Sequence, residues 1–177
     1  MKKTIGVSLL LLWTAGAARA AGWETREFQS PMGDRSTGIV VGAENQPDLL
    51  LGIGCDAETG KHWRGVAVLQ EPQSKLKLAD DRHVRVGFGD TVQATTWLAK
   101  KTPAGKRIYW APEATKFVER LLSEEKSSAQ PTLSFEVRDS RGKPVELRFP
   151  LAGLAAEVKV LSERCAGWEL AAPTQHD

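Results

Sequence analysis

The chain has 177 residues and nearly balanced charge, with 24 Lys and Arg against 22 Asp and Glu side chains. Three of the basic residues, Lys2, Lys3 and Arg19, precede residue 21, so acidic side chains slightly outnumber basic ones in the remainder. Binding to nucleic acid or to an anionic membrane needs a concentrated positive patch, and no run of basic residues is present. We therefore expect no nucleic-acid partner.

Residues 1–20 have the three parts of a secretory signal peptide. Lys2 and Lys3 form the charged start, Ile5 to Trp13 form an apolar stretch, and Ala18-Arg19-Ala20 offers the small residues of a cleavage site. A membrane-spanning helix takes roughly 20 apolar residues, so we expect this shorter stretch to be removed and not kept as an anchor. The sequence therefore predicts a periplasmic protein with no membrane span after signal removal.

Alternating side chains predict short strands from residue 23 to residue 110, since successive side chains of a strand face opposite sides of a sheet. The predicted strands are 23–30, 37–43, 49–55, 63–69, 84–88, 93–99 and 107–110. The turn-rich stretch 31–35 joins the first two strands. The loop 56–61 joins the next two into a hairpin with Cys55 on its inward face.

The pattern changes to a helical period from Pro112 onward. Apolar residues recur at spacings of three and four, which predicts an amphipathic helix that ends in the polar stretch 123–130. These residues are Ala114, Phe117, Val118, Leu121 and Leu122. Two further strands, 133–137 and 145–149, form a second hairpin. A second helical stripe then runs from Leu151 to Cys165.

These elements predict one α+β domain over residues 21–168. It consists of a mainly antiparallel sheet of about six to eight strands with two packed helices. Residues 169–177 are expected to form a flexible tail.

The two cysteines, Cys55 and Cys165, are expected to form a disulfide, because the periplasm is oxidising. Closing a loop of about 110 residues stabilises the fold by roughly 4 to 5 kcal/mol in the loop-entropy treatment. The alternative is a nucleophilic thiol at Cys55, near Asp56 and His62, which would need an activated sulfur in an open pocket. Two distant cysteines lack the ligand spacing of a zinc site.

Other catalytic patterns are weak. The paired carboxylates at 80–81 and 124–125 lie in polar stretches typical of a solvated surface. The G-x-S-x-G sequence of serine hydrolases is absent. We therefore expect a protein that is not an enzyme, without cofactor, metal ligands or catalytic residues.

Basic and aromatic residues are adjacent in the predicted strand 107–110. On a strand, Arg107 and Tyr109 face one side, and Ile108 and Trp110 face the other. An exposed Arg107 beside Tyr109 has the composition of a binding hot spot. Lys106, Arg107 and Tyr109 are therefore the predicted partner-binding residues. The alternative is that Ile108 and Trp110 belong to the core and Arg107 is a solubilising surface residue.

Features spread from residue 23 to residue 165 together resemble one known family. They are Trp23, Ser30, Met32, Asp34, Leu51, Cys55, Arg85, Trp97, Phe117, Leu121, the segment 149–154 and Cys165. This combination is similar to the VasI-type periplasmic accessory proteins encoded with type VI secretion systems. The resemblance implies an exported single domain with a cysteine bridge and no established catalytic residues.

Two functions are consistent with these observations. The first is a non-enzymatic interaction domain that binds another envelope or secreted protein, for instance a component of a type VI secretion system. The second is a periplasmic inhibitor or immunity protein against a cell-wall hydrolase or toxin. For this second function, the basic loop 100–106 is the candidate contact.

Overall fold

The structure is a computed structural model that describes residues 22–29, 35–56, 64–89, 91–102 and 105–165. The predicted signal peptide, the turn residues Ser30, Met32 and Asp34, and the predicted tail lie outside these ranges. So do most of the loop 56–61, His62 and the first residue of the predicted strand 63–69.

The described residues form a single α+β domain, which confirms the predicted fold class. It has ten strands, more than expected, and two helices. In chain order the elements are β1 (Glu24–Gln29), β2 (Arg35–Ala43), β3 (Gln46–Asp56), β4 (Arg64–Gln70), β5 (His83–Phe88), β6 (Thr91–Thr96), β7 (Leu98–Lys101), β8 (Arg107–Trp110), α1 (Ala114–Ser127), β9 (Thr132–Arg138), β10 (Pro144–Pro150) and α2 (Leu154–Arg164).

The strands form two antiparallel sheets instead of one. The larger sheet has the order β1-β2-β3-β4-β8-β7, and the smaller has the order β10-β9-β5-β6. Both predicted hairpins are confirmed, since β3 pairs with β4 and β9 pairs with β10. The sheets are connected where the turn after β2 meets the edge of β10, because the Asn45 amide donates to the carbonyl of Glu146 (2.7 Å).

The predicted strand 93–99 is in fact two strands that belong to different sheets. β6 pairs with β5, whereas β7 pairs with β8. Trp97 lies between them, is 1% exposed, and packs edge-on against Phe117 of α1 (5.2 Å between ring centroids) and Phe135 of β9 (4.8 Å). A chain that changes sheets can keep an extended backbone, so the alternating pattern does not reveal the change.

One hydrophobic core is shared by both sheets and both helices. α1 packs against β4 and β9, α2 packs against β2, and the helices contact each other. The predicted helical stripes are inward, with Val118 and Leu121 of α1 and Val158 of α2 at most 1% exposed. The carboxylate of Glu125 in α1 accepts a hydrogen bond from the Ala155 N–H (2.7 Å), which satisfies one free donor at the start of α2.

The predicted disulfide is confirmed. Cys55 at the end of β3 is bonded to Cys165 at the end of α2, with 6.0 Å between their Cα atoms. Both residues are buried, at 3% and 4% exposed. The bond fixes the last helix to the larger sheet and leaves Cys55 without the free thiol that a nucleophile needs.

The larger sheet is curved. The guanidinium of Arg26 in β1 pairs with the carboxylate of Glu71, which directly follows β4, although β2 and β3 lie between these strands. In a flat sheet the two strands would be about 14 Å apart. Gly38, Gly54 and Gly65 lie side by side opposite Arg26. Without Cβ atoms, this row leaves room for the bend.

Neither helix of the described ranges is long and apolar enough to cross a membrane.

Replacing Trp97 should be far more costly than replacing its neighbour. We expect Trp97→Ala to lower the free energy of unfolding by about 3 to 5 kcal/mol, because it removes a buried ring that contacts both a helix and a sheet. Leu98→Ala is the matched control, since Leu98 is 49% exposed; its effect should stay within about 0.5 kcal/mol. Urea denaturation measures both, and similar losses for the two variants would contradict this role of Trp97.

Candidate functional site

A cleft of about 510 Å³ opens between the segment that follows β4 and the connection between β7 and β8. Five basic residues line it, and we call it the basic cleft: Lys75, Lys77, Lys101, Lys106 and Arg107. Among the described residues that line the cleft, none is acidic. The cleft can therefore attract an anionic ligand.

Buried Gln70, at the end of β4, holds two walls of the basic cleft together. Its side chain is 7% exposed. The amide Nε2 donates to the carbonyl of Leu76 (2.5 Å), and the amide oxygen accepts from the Arg107 N–H (3.2 Å). Because a buried amide is costly to leave unpaired, these bonds fix the segment 71–78 against the start of β8.

Lys106 bridges the mouth of the basic cleft. Its ammonium donates to the carbonyl of Ser74 (2.6 Å), and its backbone N–H donates to the Thr102 hydroxyl (3.0 Å). Gly105, with φ of +77°, precedes it in a conformation that favours glycine. An ammonium has three donors, so Lys106 retains donors for a ligand after its bond to Ser74.

Arg107 is more buried than the sequence suggests. Its side chain is only 13% exposed, and its guanidinium donates to the carboxylate of Asp80 (2.9 Å), which is 76% exposed. The expectation of a freely exposed Arg107 is therefore wrong, because its side chain is largely buried and its guanidinium is paired with Asp80. The guanidinium has five N–H donors, and the bond to Asp80 uses one of them.

Tyr109 lies in the core, contrary to the expected exposed surface. The strand alternation is as predicted, but Tyr109 is paired in register with Val68 on the inward face of β4 and is 1% exposed. Its hydroxyl donates to the carbonyl of Ala79 (3.2 Å). Both faces of this short strand carry apolar residues, so alternation alone could not identify the buried one. Ile108 and Trp110, on the other face, are partly buried.

The sequence did not reveal the basic cleft, because its residues come from separate segments. Lys75 and Lys77 lie in a segment with no regular secondary structure of its own, and Lys101 ends β7. One signal was present: Lys75 and Lys77 alternate with Leu76 and Leu78. This spacing is typical of an extended segment with one basic side and one apolar side.

Within the described part of the chain, no three His, Cys, Asp or Glu side chains are grouped so that they could hold a metal ion. Partner binding by Lys106 and Arg107 stays a prediction. Tyr109 is buried, so it can support binding only by holding the wall of the basic cleft in place.

Tyr109 is the single tyrosine of the chain, so its titration can be followed directly. Burial raises the pKa of its hydroxyl from 10.0 to about 12, although the nearby Arg107 charge acts in the opposite direction. Because folding favours the neutral phenol, its contribution to stability is complete below pH 10 and is lost as the pH rises towards about 12. We expect near-ultraviolet absorbance to show a tyrosinate midpoint of about 12 in the folded protein and about 10 in denaturant. Equal midpoints would contradict the burial of Tyr109.

Comparisons with protein-family models, curated proteins and solved structures find no match for this chain. Its own residues and their geometry therefore carry the functional proposal.

Proposed function

We propose that this chain is an exported, non-enzymatic protein-binding domain of the periplasm, and that the basic cleft binds an acidic segment of another envelope or secreted protein. The observation that carries the proposal is the grouping of five basic residues around one cleft. Residues 21–177 as a whole contain slightly more acidic than basic side chains. The positive charge is thus concentrated locally, as expected for a surface that attracts an acidic partner.

The basic cleft is held in shape before a partner arrives. Gln70 and Lys106 connect its walls by hydrogen bonds, and Arg107 is fixed by Asp80. Preorganised groups lose less side-chain freedom on binding, which favours affinity. Lys75 and Lys77, by contrast, are exposed and adaptable. This combination suits a flexible run of carboxylates, since lysine binds an anion without a strict geometry.

The resemblance to the VasI-type proteins supports a narrower form of the proposal, an accessory role in type VI secretion. In that form, the acidic segment belongs to a component of the secretion apparatus.

A second candidate function is inhibition of a cell-wall hydrolase or toxin. Lys101 and Lys106 line the basic cleft close to the turn at Gly105. Many glycoside hydrolases act through a pair of carboxylates. A basic surface presented by this connection could bind such a pair and block it.

The proposed function predicts that charge reversal in the basic cleft weakens capture of a partner. The variant is Lys75→Glu with Lys77→Glu, both exposed and outside the hydrogen bonds that shape the cleft. The matched control is Lys143→Glu with Lys159→Glu, also exposed but outside the cleft lining. Affinity capture from the envelope fraction, quantified by mass spectrometry, should recover a specific partner with the wild type and the control. Recovery with the cleft variant should fall about tenfold or more.

Equal recovery with both double variants would contradict the proposal. Binding studies with oligoglutamate, single-stranded DNA and a panel of wall hydrolases separate the remaining possibilities. Stronger binding of DNA than of oligoglutamate, lost in the cleft variant, would assign the basic cleft to nucleic acid. Inhibition of a hydrolase by the wild type and the control only would favour the second candidate function.

A further inference from the structure

Among the described residues, β6 is an edge strand that lacks the usual protection of an edge. It is the last strand of the smaller sheet, and it carries no charged residue and no proline. Val92 in this strand is 52% exposed. Proteins normally protect such edges with lysine, proline, short strands or a covering loop, because an open edge can pair with another chain.

The other sheet edges of the described ranges are protected. β10 begins and ends with proline, and the Glu44 N–H and the Asn45 side chain bond to its backbone at Arg148 and Glu146. β7 has only four residues and ends with Lys100 and Lys101. β1 carries several charged side chains. The open edge of β6 is therefore an exception within this fold.

The hydrogen-bond pattern shows which backbone groups of β6 point outward. The Trp97 N–H donates to the carbonyl of Arg82 (2.9 Å). In an antiparallel pair, hydrogen-bonded residues alternate with residues that are not bonded to the neighbouring strand, so Thr95 and Gln93 are also hydrogen-bonded to β5. The N–H and C=O groups of the residues between and beside them point away from β5. These residues are Val92, Ala94 and Thr96. Within the described part of the chain, no strand pairs with them.

A pocket of about 200 Å³ lies beside this edge and shares no lining residue with the basic cleft. Aromatic rings form its floor: Phe88, Trp97 and Phe117. Gln93 and Thr95 line it on the β6 side, and the charged residues Glu113, Lys116 and Arg120 line it on the side of α1. The Arg120 guanidinium lies over the Phe88 ring, 4.2 Å from the centroid, and donates to the amide oxygen of Gln93 (3.1 Å). A large apolar side chain from a strand added to β6 could enter this pocket.

We propose that β6 is a second docking site, at which an extended segment of a partner protein adds a strand to the smaller sheet. Three outward-facing residues supply backbone hydrogen bonds, and the aromatic pocket selects one aromatic or branched aliphatic side chain of the partner. β6 is uncharged, and the charged residues at the pocket already have partners, Lys116 with Glu113 and Arg120 with Gln93, so an uncharged partner segment fits. If β6 paired with β6 of a second copy of the chain, the polar Gln93 and Thr95 of that copy would face the pocket and leave it unfilled. A different partner protein therefore fits the site better.

The test selects binders of the purified protein from a library of random peptides of about ten residues, the upper length of an ordinary strand. We expect selected peptides to share an aromatic or branched aliphatic residue within an alternating, uncharged run. Ala94→Pro should weaken their binding at least about tenfold, because it removes an outward N–H but no bond to β5. Ala94→Val, which keeps that N–H, should change the affinity by no more than about twofold.

A second measurement does not depend on the folding of a variant. Two versions of a selected peptide are made, one with methylated backbone nitrogens at its odd-numbered residues and one at its even-numbered residues. One version should lose binding and the other should keep it, since only one set of N–H groups faces β6. Binding should also be unchanged in the Lys75→Glu, Lys77→Glu protein. This result separates the β6 site from the basic cleft.

Three results would overturn the proposal. The first is that no peptide is selected above background. The second is binding that changes neither with Ala94→Pro nor with methylation of either set of alternate peptide nitrogens. The third is a dimer in solution that Ala94→Pro converts to a monomer, because this would assign the edge to a second copy of the chain.

Discussion

The burial of Trp97 between two sheets is the constraint on which the arrangement of this domain depends. The chain leaves the smaller sheet after β6, buries the Trp97 ring in the core and enters the larger sheet as β7. The ring contacts Phe117 and Phe135, so a helix and a strand are both positioned by the crossing. β6 and β7 are both edge strands of their sheets. The edge of β6 therefore lies on one side of this crossing, and the basic connection after β7 lies on the other.

Polar interactions hold an irregular segment against the larger sheet. Residues 71–82 form no named strand or helix, yet they are held at several points. Gln70 bonds to Leu76, Tyr109 bonds to Ala79, and Arg107 bonds to Asp80. Each bond joins this segment to β4 or β8, strands of the larger sheet. An irregular segment with such support can present Lys75 and Lys77 at a defined position, which a freely moving loop cannot do.

Local patterns predicted most of the fold. The hairpins β3–β4 and β9–β10 and both helices follow from periods of two and of about 3.6 residues, which depend on neighbours in the chain. The disulfide was predicted because the chain has two cysteines and was expected to be exported, and the structure brings Cys55 and Cys165 together.

What the sequence did not reveal depends on contacts between distant segments. The change of sheet at Trp97 leaves the alternation intact, and the burial of Tyr109 is decided by its neighbour Val68. Lys75 and Lys101 both line the basic cleft, although β5, β6 and most of β7 lie between them in the sequence. Charge counted along the chain therefore missed a positive site that exists only in three dimensions.

The most direct test of the binding role of the basic cleft is amide chemical-shift mapping by NMR of the isotope-labelled protein with an oligoglutamate peptide of about ten residues. We predict shifts confined to residues 75–78, 101–102 and 105–107, and we predict that added salt reverses them because the attraction is electrostatic. Shifts centred on other lysines, or no shifts at low salt, would contradict the assignment of the basic cleft as the partner-binding site.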